Sequence, residues 1–206
     1  MTETDPVEVV VGFSSGVPTS LDGESLDPEP LIAKLGRIAG SRGFGRLDMV
    51  ENRRVGIKSR EVYECPAALS LVLAHADLED LTLERDLHHE KARLEPRWSE
   101  LVYDGLWFSP LKSALDAFIA ESQRHVSGEV RLRFAPPGTC TVVGRRSPVA
   151  LYAHDLATYD ASASFRHADA EGFVRLWGLG VATWSARQGP GSASGSGQRS
   201  GSGQAS

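Results

Sequence analysis

Long apolar runs are missing from this sequence of 206 residues. A helix that crosses a membrane needs about 20 consecutive apolar residues, so the sequence predicts no membrane span and no membrane partner. The first residues, MTETDPVEVVV, are acidic and lack both a basic stretch and a small-residue cleavage site. This start argues against a secretory signal and favours a cytoplasmic location.

Positive charge and cysteine are also scarce. The chain has 22 Lys and Arg against 27 Asp and Glu, a net charge of −5. A protein that binds nucleic acid mainly through its phosphates needs an excess of basic side chains, so no nucleic-acid partner is expected. The two cysteines, Cys65 and Cys140, fit no metal-ligand spacing, and we interpret both as buried free thiols of a reducing compartment.

The end of the chain is poor in large apolar side chains. Residues 189–206 consist mostly of glycine and serine. Such a segment cannot bury enough surface to offset the entropy that ordering would cost, so it is predicted to be a disordered tail. The remaining residues, 1–188, are predicted to form one domain.

The patterns that are present indicate an α+β fold, with a mostly antiparallel sheet packed with several helices. Strand-like segments open the chain, helical apolar spacing dominates its middle, and strand-like segments then return. Ser109 and Pro110 form the cap and first residue of the last of these helices. After Pro148 the sequence is irregular until residues 172–179. The predicted helices cover 29–39, 69–76, 94–102 and 111–122, and the predicted strands cover 7–13, 17–21, 46–62, 129–134 and 141–144.

Two motif matches near the N-terminus are better explained by structure than by chemistry. Gly12 to Gly16 fits the G-x-S-x-G nucleophile elbow, which requires a helix directly after the serine. Residues 14–20 resemble a serine- and glycine-rich pyrophosphate loop, but Pro18 stands where that loop needs an aspartate. The following Val17 and Pro18 favour a second strand, so we predict a hairpin there.

Three tryptophans, Trp98, Trp107 and Trp177, have apolar neighbours in the sequence and are predicted to be core residues.

One strand-like segment, residues 45–66, is unusually rich in charge. Burying an unpaired charge is costly, so such strands are poor core builders. The segment fits either the wall of a polar pocket for a zwitterionic ligand or an exposed face of a sheet, and composition leaves both interpretations open. Its charged residues include Asp48, Glu51, Arg53, Arg54, Lys58, Arg60 and Glu61.

The same segment carries a family resemblance. It reads GRLDMVENR, then VGIKSR and VYE, which closely resembles the argininosuccinate synthase family. Further blocks agree in the same order along the chain, from about Glu8 to Leu179. Only the C-terminal synthetase and multimerisation domain of that family is matched. The supporting blocks lie at residues 16–24, 100–110, 144–148, 151–152 and 172–179.

The resemblance implies an ATP-dependent ligase of arginine biosynthesis and the urea cycle. In that family ATP, with magnesium, adenylates the ureido oxygen of citrulline and releases pyrophosphate; the amine of aspartate then displaces AMP to form argininosuccinate. The family enzyme is a cytoplasmic homotetramer, so a homo-oligomer is expected. The family's citrulline contacts fall on Glu51 and Tyr63, where a carboxylate suits the α-ammonium group and a phenol adds a neutral hydrogen bond.

The rest of the family's machinery is expected to lie outside these residues. Its pyrophosphate-binding loop, its aspartate contacts and its other citrulline contacts precede the part that Glu8 matches. No catalytic, ATP-binding or metal-binding residue is therefore assigned here, and the chain alone is expected to be inactive. It would act with a separate ATP-binding half or as part of a larger enzyme. The alternatives are a non-catalytic oligomerisation or subunit-binding module and a decayed gene fragment.

Overall fold

A computed structural model describes residues 4–152 and 167–188, which belong to two compact units divided between Tyr152 and Ala153. The tail predicted for residues 189–206 lies outside the described residues. Seven strands and six helices occur in the described ranges, which confirms the α+β prediction. The strands are β1 (Val7–Ser14), β2 (Val17–Leu21), β3 (Glu24–Ser25), β4 (Arg46–Asn52), β5 (Lys58–Glu64), β6 (Gly128–Ala135) and β7 (Thr139–Arg146). The helices are α1 (Pro28–Ser41), α2 (Pro66–Thr82), α3 (Arg85–Tyr103), α4 (Pro110–Gln123), α5 (His167–Trp177) and α6 (Leu179–Gln188).

The first unit is built on an antiparallel sheet of five strands in the order β3-β2-β1-β6-β7. The central pair joins the start of the chain to its distant part, with Val7 opposite Phe134 and Phe13 opposite Gly128. Along β6 buried apolar residues alternate with exposed arginines, as expected for a sheet with one face on the core.

Helices α1 and α2 pack against each other, and α2 lies on the buried face of the sheet. Helix α1 adds Leu35 and Ala39 to the core, and α2 adds Ala67, Ala74 and Leu78. The apolar spacing predicted both helices but not the buried face of α2, because Val72 and Leu73 are exposed. Ser109 accepts a hydrogen bond from the backbone N–H of Lys112 at 3.2 Å, which confirms the predicted cap of α4. The fully buried core residues include Val9, Val11, Leu21, Leu31, Leu35, Leu78, Val126, Val130, Leu132 and Phe134.

A buried polar cluster joins α2, α3 and α4. The Nζ of Lys91, with 3% of its side chain exposed, lies 2.9 Å from an oxygen of Glu79 and also contacts Glu95. Gln123 donates to Glu79 at 2.6 Å and contacts His75 at 2.8 Å. Burial alone would lower the pKa of Lys91, but the hydrogen bonds to Glu95 and Glu79 outweigh it and raise that pKa.

Strands β4 and β5 form a separate two-stranded sheet that leaves the core after α1 and returns to it at α2. Gly45 makes this junction possible, because its φ of +110° and its contact with Pro66 exclude a side chain. A Cβ there would lie 2.3 Å from the Cα of Pro66. The backbone N–H of Cys65 donates to the carbonyl of Gly45 at 2.8 Å, so both strands of the hairpin start from one fixed point.

The structure corrects the burial predicted for the tryptophans. Trp107 and Trp177 are 51% and 75% exposed. Trp98 is half-buried, and its indole N–H donates to Asp116 at 2.7 Å. Apolar neighbours in the sequence therefore did not predict that these tryptophans are buried in the core.

The cysteines are free, as predicted, but only half-buried. Burial raises the pKa of the Cys140 thiol to about 11. The irregular stretch predicted before residue 172 ends earlier than expected, because α5 begins at His167. Within the described ranges, no helix combines the length and the apolar character that a membrane crossing requires.

We expect Lys91→Met to lower the free energy of unfolding by about 3 kcal/mol, because Glu79 would keep a buried charge without its cation. Arg93→Met, on the same helix, is the matched control, since Arg93 pairs with Glu90 at the surface and should cost less than about 1 kcal/mol. Urea unfolding followed by circular dichroism measures both. Equal losses in the two variants would contradict the role given to the buried cluster.

Candidate functional site

The charged hairpin has two different faces, which its register defines. Side chains alternate between the faces of a strand, so every second pair of the ladder lies on the same side. The pairs Leu47–Tyr63, Met49–Glu61 and Glu51–Ser59 share one side, called here the inner face. The pairs Arg46–Glu64, Asp48–Val62, Val50–Arg60 and Asn52–Lys58 share the other side, called here the outer face.

The outer face is an exposed sheet surface covered by paired charges. Arg60 donates two hydrogen bonds to the carboxylate of Asp48, at 2.8 and 2.5 Å, and these lower the pKa of Asp48. The Nε of Arg46 lies 3.2 Å from Oε1 of Glu64, which makes a second ion pair between the two strands. Each of these charges has a partner on its own face, so this side agrees with the exposed-face interpretation of the segment.

The inner face brings together the two residues that the family resemblance singled out. Glu51 and Tyr63 are four ladder positions apart, and the tyrosine O–H donates to Oε1 of Glu51. This hydrogen bond to a carboxylate, assisted by burial, raises the pKa of Tyr63. Only 16% of the Glu51 side chain is exposed, so its carboxylate is held by the protein rather than surrounded by water.

Arg53 completes this group from beyond the end of β4. Its Nε donates to Ser59 at 2.7 Å and its Nη2 to Glu61 at 2.5 Å, and the latter bond raises the pKa of Arg53. Its Nη1 lies 3.8 Å from Oε2 of Glu51. Sequence reasoning noted Arg53 only as one charge among several. Once the turn is located, the register of the hairpin predicts that Glu51, Ser59 and Glu61 lie on the same face, near Arg53.

The charges on the inner face leave one negative charge in excess. Glu51 and Glu61 carry two negative charges, and Arg53 supplies one positive charge between them. A fixed carboxylate with one free charge can accept an ammonium group through charge-assisted hydrogen bonds. The arrangement therefore suits a small molecule with a single amine.

The tip of the hairpin is tied to the end of α3. Arg54 lies 2.7 Å from the carboxylate of Asp104, of which 13% is exposed. A polar cleft of about 820 Å³ opens beside this contact. Neither Glu51 nor Tyr63 lines this cleft. The cleft is lined by Asn52, Arg54, Pro96, Arg97, Ser99, Glu100, Tyr103 and Asp104.

The motif matches of the N-terminal segment lie on the hairpin between β1 and β2. Ser14 pairs with Val17, and the turn residues Ser15 and Gly16 have φ of 48° and 80°. A phosphate loop would place its N–H groups at a helix N-terminus, and a strand follows here instead. The segment between β1 and β2 is therefore a hairpin turn and not a phosphate loop. No group of three or more His, Cys, Asp or Glu that could hold a metal occurs in residues 4–152 and 167–188.

Comparison with known proteins identifies the hairpin's context. A family model described as the arginosuccinate synthase C-terminal domain matches residues 1–184. The chain belongs to the argininosuccinate synthase family. The match includes both strands of the hairpin, and with them Glu51 and Tyr63.

Curated argininosuccinate synthases are similar to almost the whole chain. The protein of Thermosynechococcus vestitus is 53% identical over 186 residues, which are 90% of this chain and 46% of the relative. Those of Rubrobacter xylanophilus and Symbiobacterium thermophilum are each 55% identical, over 88% and 89% of this chain and 44% and 46% of the relatives. The chain therefore spans about half the length of the curated relatives it matches.

We expect Tyr63 to titrate above the ordinary phenol pKa of about 10, and Glu51→Gln to lower its pKa towards that value. The reason is that the carboxylate stabilises the protonated phenol. By linkage, this hydrogen bond stabilises the folded state below a pH of about 10. The stabilisation is lost as the pH rises through the raised pKa of Tyr63. NMR of 13Cζ-labelled tyrosine follows the titration. Glu64→Gln on the outer face is the control, and a Tyr63 signal that moved equally in both variants would contradict the assignment.

Proposed function

We propose that this chain is the citrulline-binding domain of an argininosuccinate synthase. The family enzyme uses ATP to join citrulline to aspartate in arginine biosynthesis, forming argininosuccinate, AMP and pyrophosphate. The observation that carries the proposal is the hydrogen-bonded Glu51–Tyr63 pair on the inner face of the hairpin. The family resemblance assigns the citrulline contacts to these two residues.

In this proposal the Glu51 carboxylate accepts hydrogen bonds from the α-ammonium of citrulline. Tyr63 binds Oε1 of that carboxylate, and Nη1 of Arg53 lies 3.8 Å from Oε2, beyond hydrogen-bond distance, so Oε2 keeps lone pairs for the ligand. The phenol oxygen keeps its own lone pairs, so it can accept a second hydrogen bond from the same ammonium. The amino acid is thus held at its α-end, and its ureido end extends away from the hairpin.

ATP and aspartate are assigned to the part of the family enzyme that the relatives have in addition to this domain. Catalysis then depends on bringing three substrates together, and the inner face holds only one of them. The partner of this domain is accordingly an ATP-binding half, on the same or on a separate polypeptide.

We expect citrulline to bind these 206 residues weakly, with a Kd of about 1 mM or higher, because Glu51 and Tyr63 form only one wall. Glu51→Ala should abolish the binding. NMR titration with citrulline detects such affinities, and Glu64→Ala on the outer face is the matched control. Tight binding that Glu51→Ala leaves unchanged would refute the proposed site.

We expect the 206 residues alone to release no pyrophosphate from ATP in the presence of citrulline and aspartate. The groups described here position only the citrulline amine, so the reacting atoms are not brought together. A coupled pyrophosphate assay measures this, with a complete relative such as that of Symbiobacterium thermophilum as the positive control. Clear turnover by the 206 residues would contradict the proposal that ATP and aspartate bind to another part of the family enzyme.

Assembly is a second role that one observation favours. Helices α5 and α6 expose large apolar side chains, and the rings of Phe173 and Trp177 stack at 5.5 Å. Exposed apolar surface of this kind is typical of protein interfaces. We therefore propose that the domain self-associates, and light scattering tests it. A strict monomer at high concentration would count against this role. The exposed residues are Phe173, Val174, Leu176, Trp177, Leu179, Val181 and Trp184.

A further inference from the structure

We propose that Arg53 is the positioning residue of the inner face. Its guanidinium pairs with Glu61 and lies beside Glu51, and in this way it keeps the Glu51 carboxylate on Tyr63 and free for a ligand amine. The proposal rests on the proposed function for the identity of the ligand, but the positioning itself is a property of the free protein.

The first step is geometric. Three groups of the hairpin surround one guanidinium: Ser59 accepts from Nε, Glu61 accepts from Nη2, and Glu51 lies 3.8 Å from Nη1. A guanidinium is a rigid planar fork, so fixing Nε and Nη2 also fixes where Nη1 lies. The position of Nη1 next to Oε2 then limits how far the Glu51 carboxylate can turn away from Tyr63.

The second step is electrostatic. Glu61 is the neighbour of Glu51 on the inner face, two ladder positions away from it. Without a cation between them, the two carboxylates would repel each other, and the less buried Glu61 would compete for an incoming ammonium. Because Arg53 binds Glu61 directly, Glu61 is neutralised, and Glu51 becomes the carboxylate that meets the ligand.

The side chain of Arg53 does not build the turn in which it lies. The turn is closed by backbone groups: the N–H of Arg53 donates to the carbonyl of Ile57 at 2.8 Å, and its carbonyl accepts from Gly56 at 2.9 Å. Replacing the side chain leaves both bonds in place. A change at Arg53 therefore tests the inner face without removing the hairpin.

The test uses the direction in which the pKa of Tyr63 moves in Arg53→Gln. If Arg53 positions Glu51, its loss frees the carboxylate from the phenol, and the pKa of Tyr63 falls towards that of Glu51→Gln. If Arg53 were only a nearby positive charge, its loss would remove an influence that lowers the pKa of Tyr63, and that pKa would rise. A rise, or no change, would overturn the proposal.

NMR of 13Cζ-labelled tyrosine separates these results, since the chain has only four tyrosines and Tyr63→Phe identifies the signal. Arg60→Gln is the matched control, because it removes a guanidinium from the outer face of the same sheet and should leave Tyr63 unchanged. The amide spectrum reports the fold of each variant. Should Arg53→Gln fail to fold, Arg53→Lys serves instead: a lysine cannot contact all three partners, so the pKa of Tyr63 should again fall.

A second measurement links positioning to the ligand. With citrulline as the probe, Arg53→Gln should weaken binding by about tenfold or more, while Arg60→Gln should not change it. Equal affinities in Arg53→Gln and the unaltered chain would overturn the proposal. If the unaltered chain binds no citrulline, the proposed function fails, and the titration of Tyr63 still decides the role of Arg53.

Discussion

The pairing of β1 with β6 is the constraint on which the rest of the first unit depends. Residues 7–13 lie opposite residues 128–134, so this ladder closes a loop that contains four helices and the charged hairpin. Closing so long a loop costs chain entropy before any helix can pack on the sheet. The β-branched and aromatic side chains of the pair offset that cost, since their buried faces meet α1 and α2 in a single core. The hairpin of β4 and β5, which carries the candidate site, is attached to that core.

Much of this architecture could be predicted from the sequence, for identifiable reasons. Strands β1, β6 and β7 follow apolar patterns with a period of two, which match the buried face of the sheet. Apolar spacing of about 3.6 residues predicted that helices α1 to α4 exist, but not which face α2 buries, since Val72 and Leu73 are exposed. The cap at Ser109 follows from the chemistry of the hydroxyl group. The hairpin turn at Ser15 and Gly16 follows because a proline and a second strand pattern come after it rather than a helix. In the strands, the cap and the turn, local preference and packing favour the same structure.

The sequence was less informative for residues whose burial or side-chain direction depends on other parts of the structure. Trp107 and Trp177 are apolar, but apolar character predicts burial only if the same chain provides a surface to cover it. Arg53 lies past the last ladder pair of β4, so strand alternation does not determine the direction of its side chain. Glu51 and Tyr63 were found through family resemblance. Their spacing of 12 residues becomes meaningful only when the register sets them on one face.

The attachment of the hairpin has a mechanical consequence. It is held at its base by Gly45 against Pro66, and near its tip by the contact of Arg54 with Asp104. A ribbon supported at both ends behaves as a beam, and its middle deflects less than the free end of a ribbon anchored once. Glu51 and Tyr63 lie along that span, between the two supports. Both ends of the hairpin are joined to helices, the base through backbone contacts and the tip through a surface ion pair, so Glu51 and Tyr63 should move less than on a hairpin anchored at its base alone.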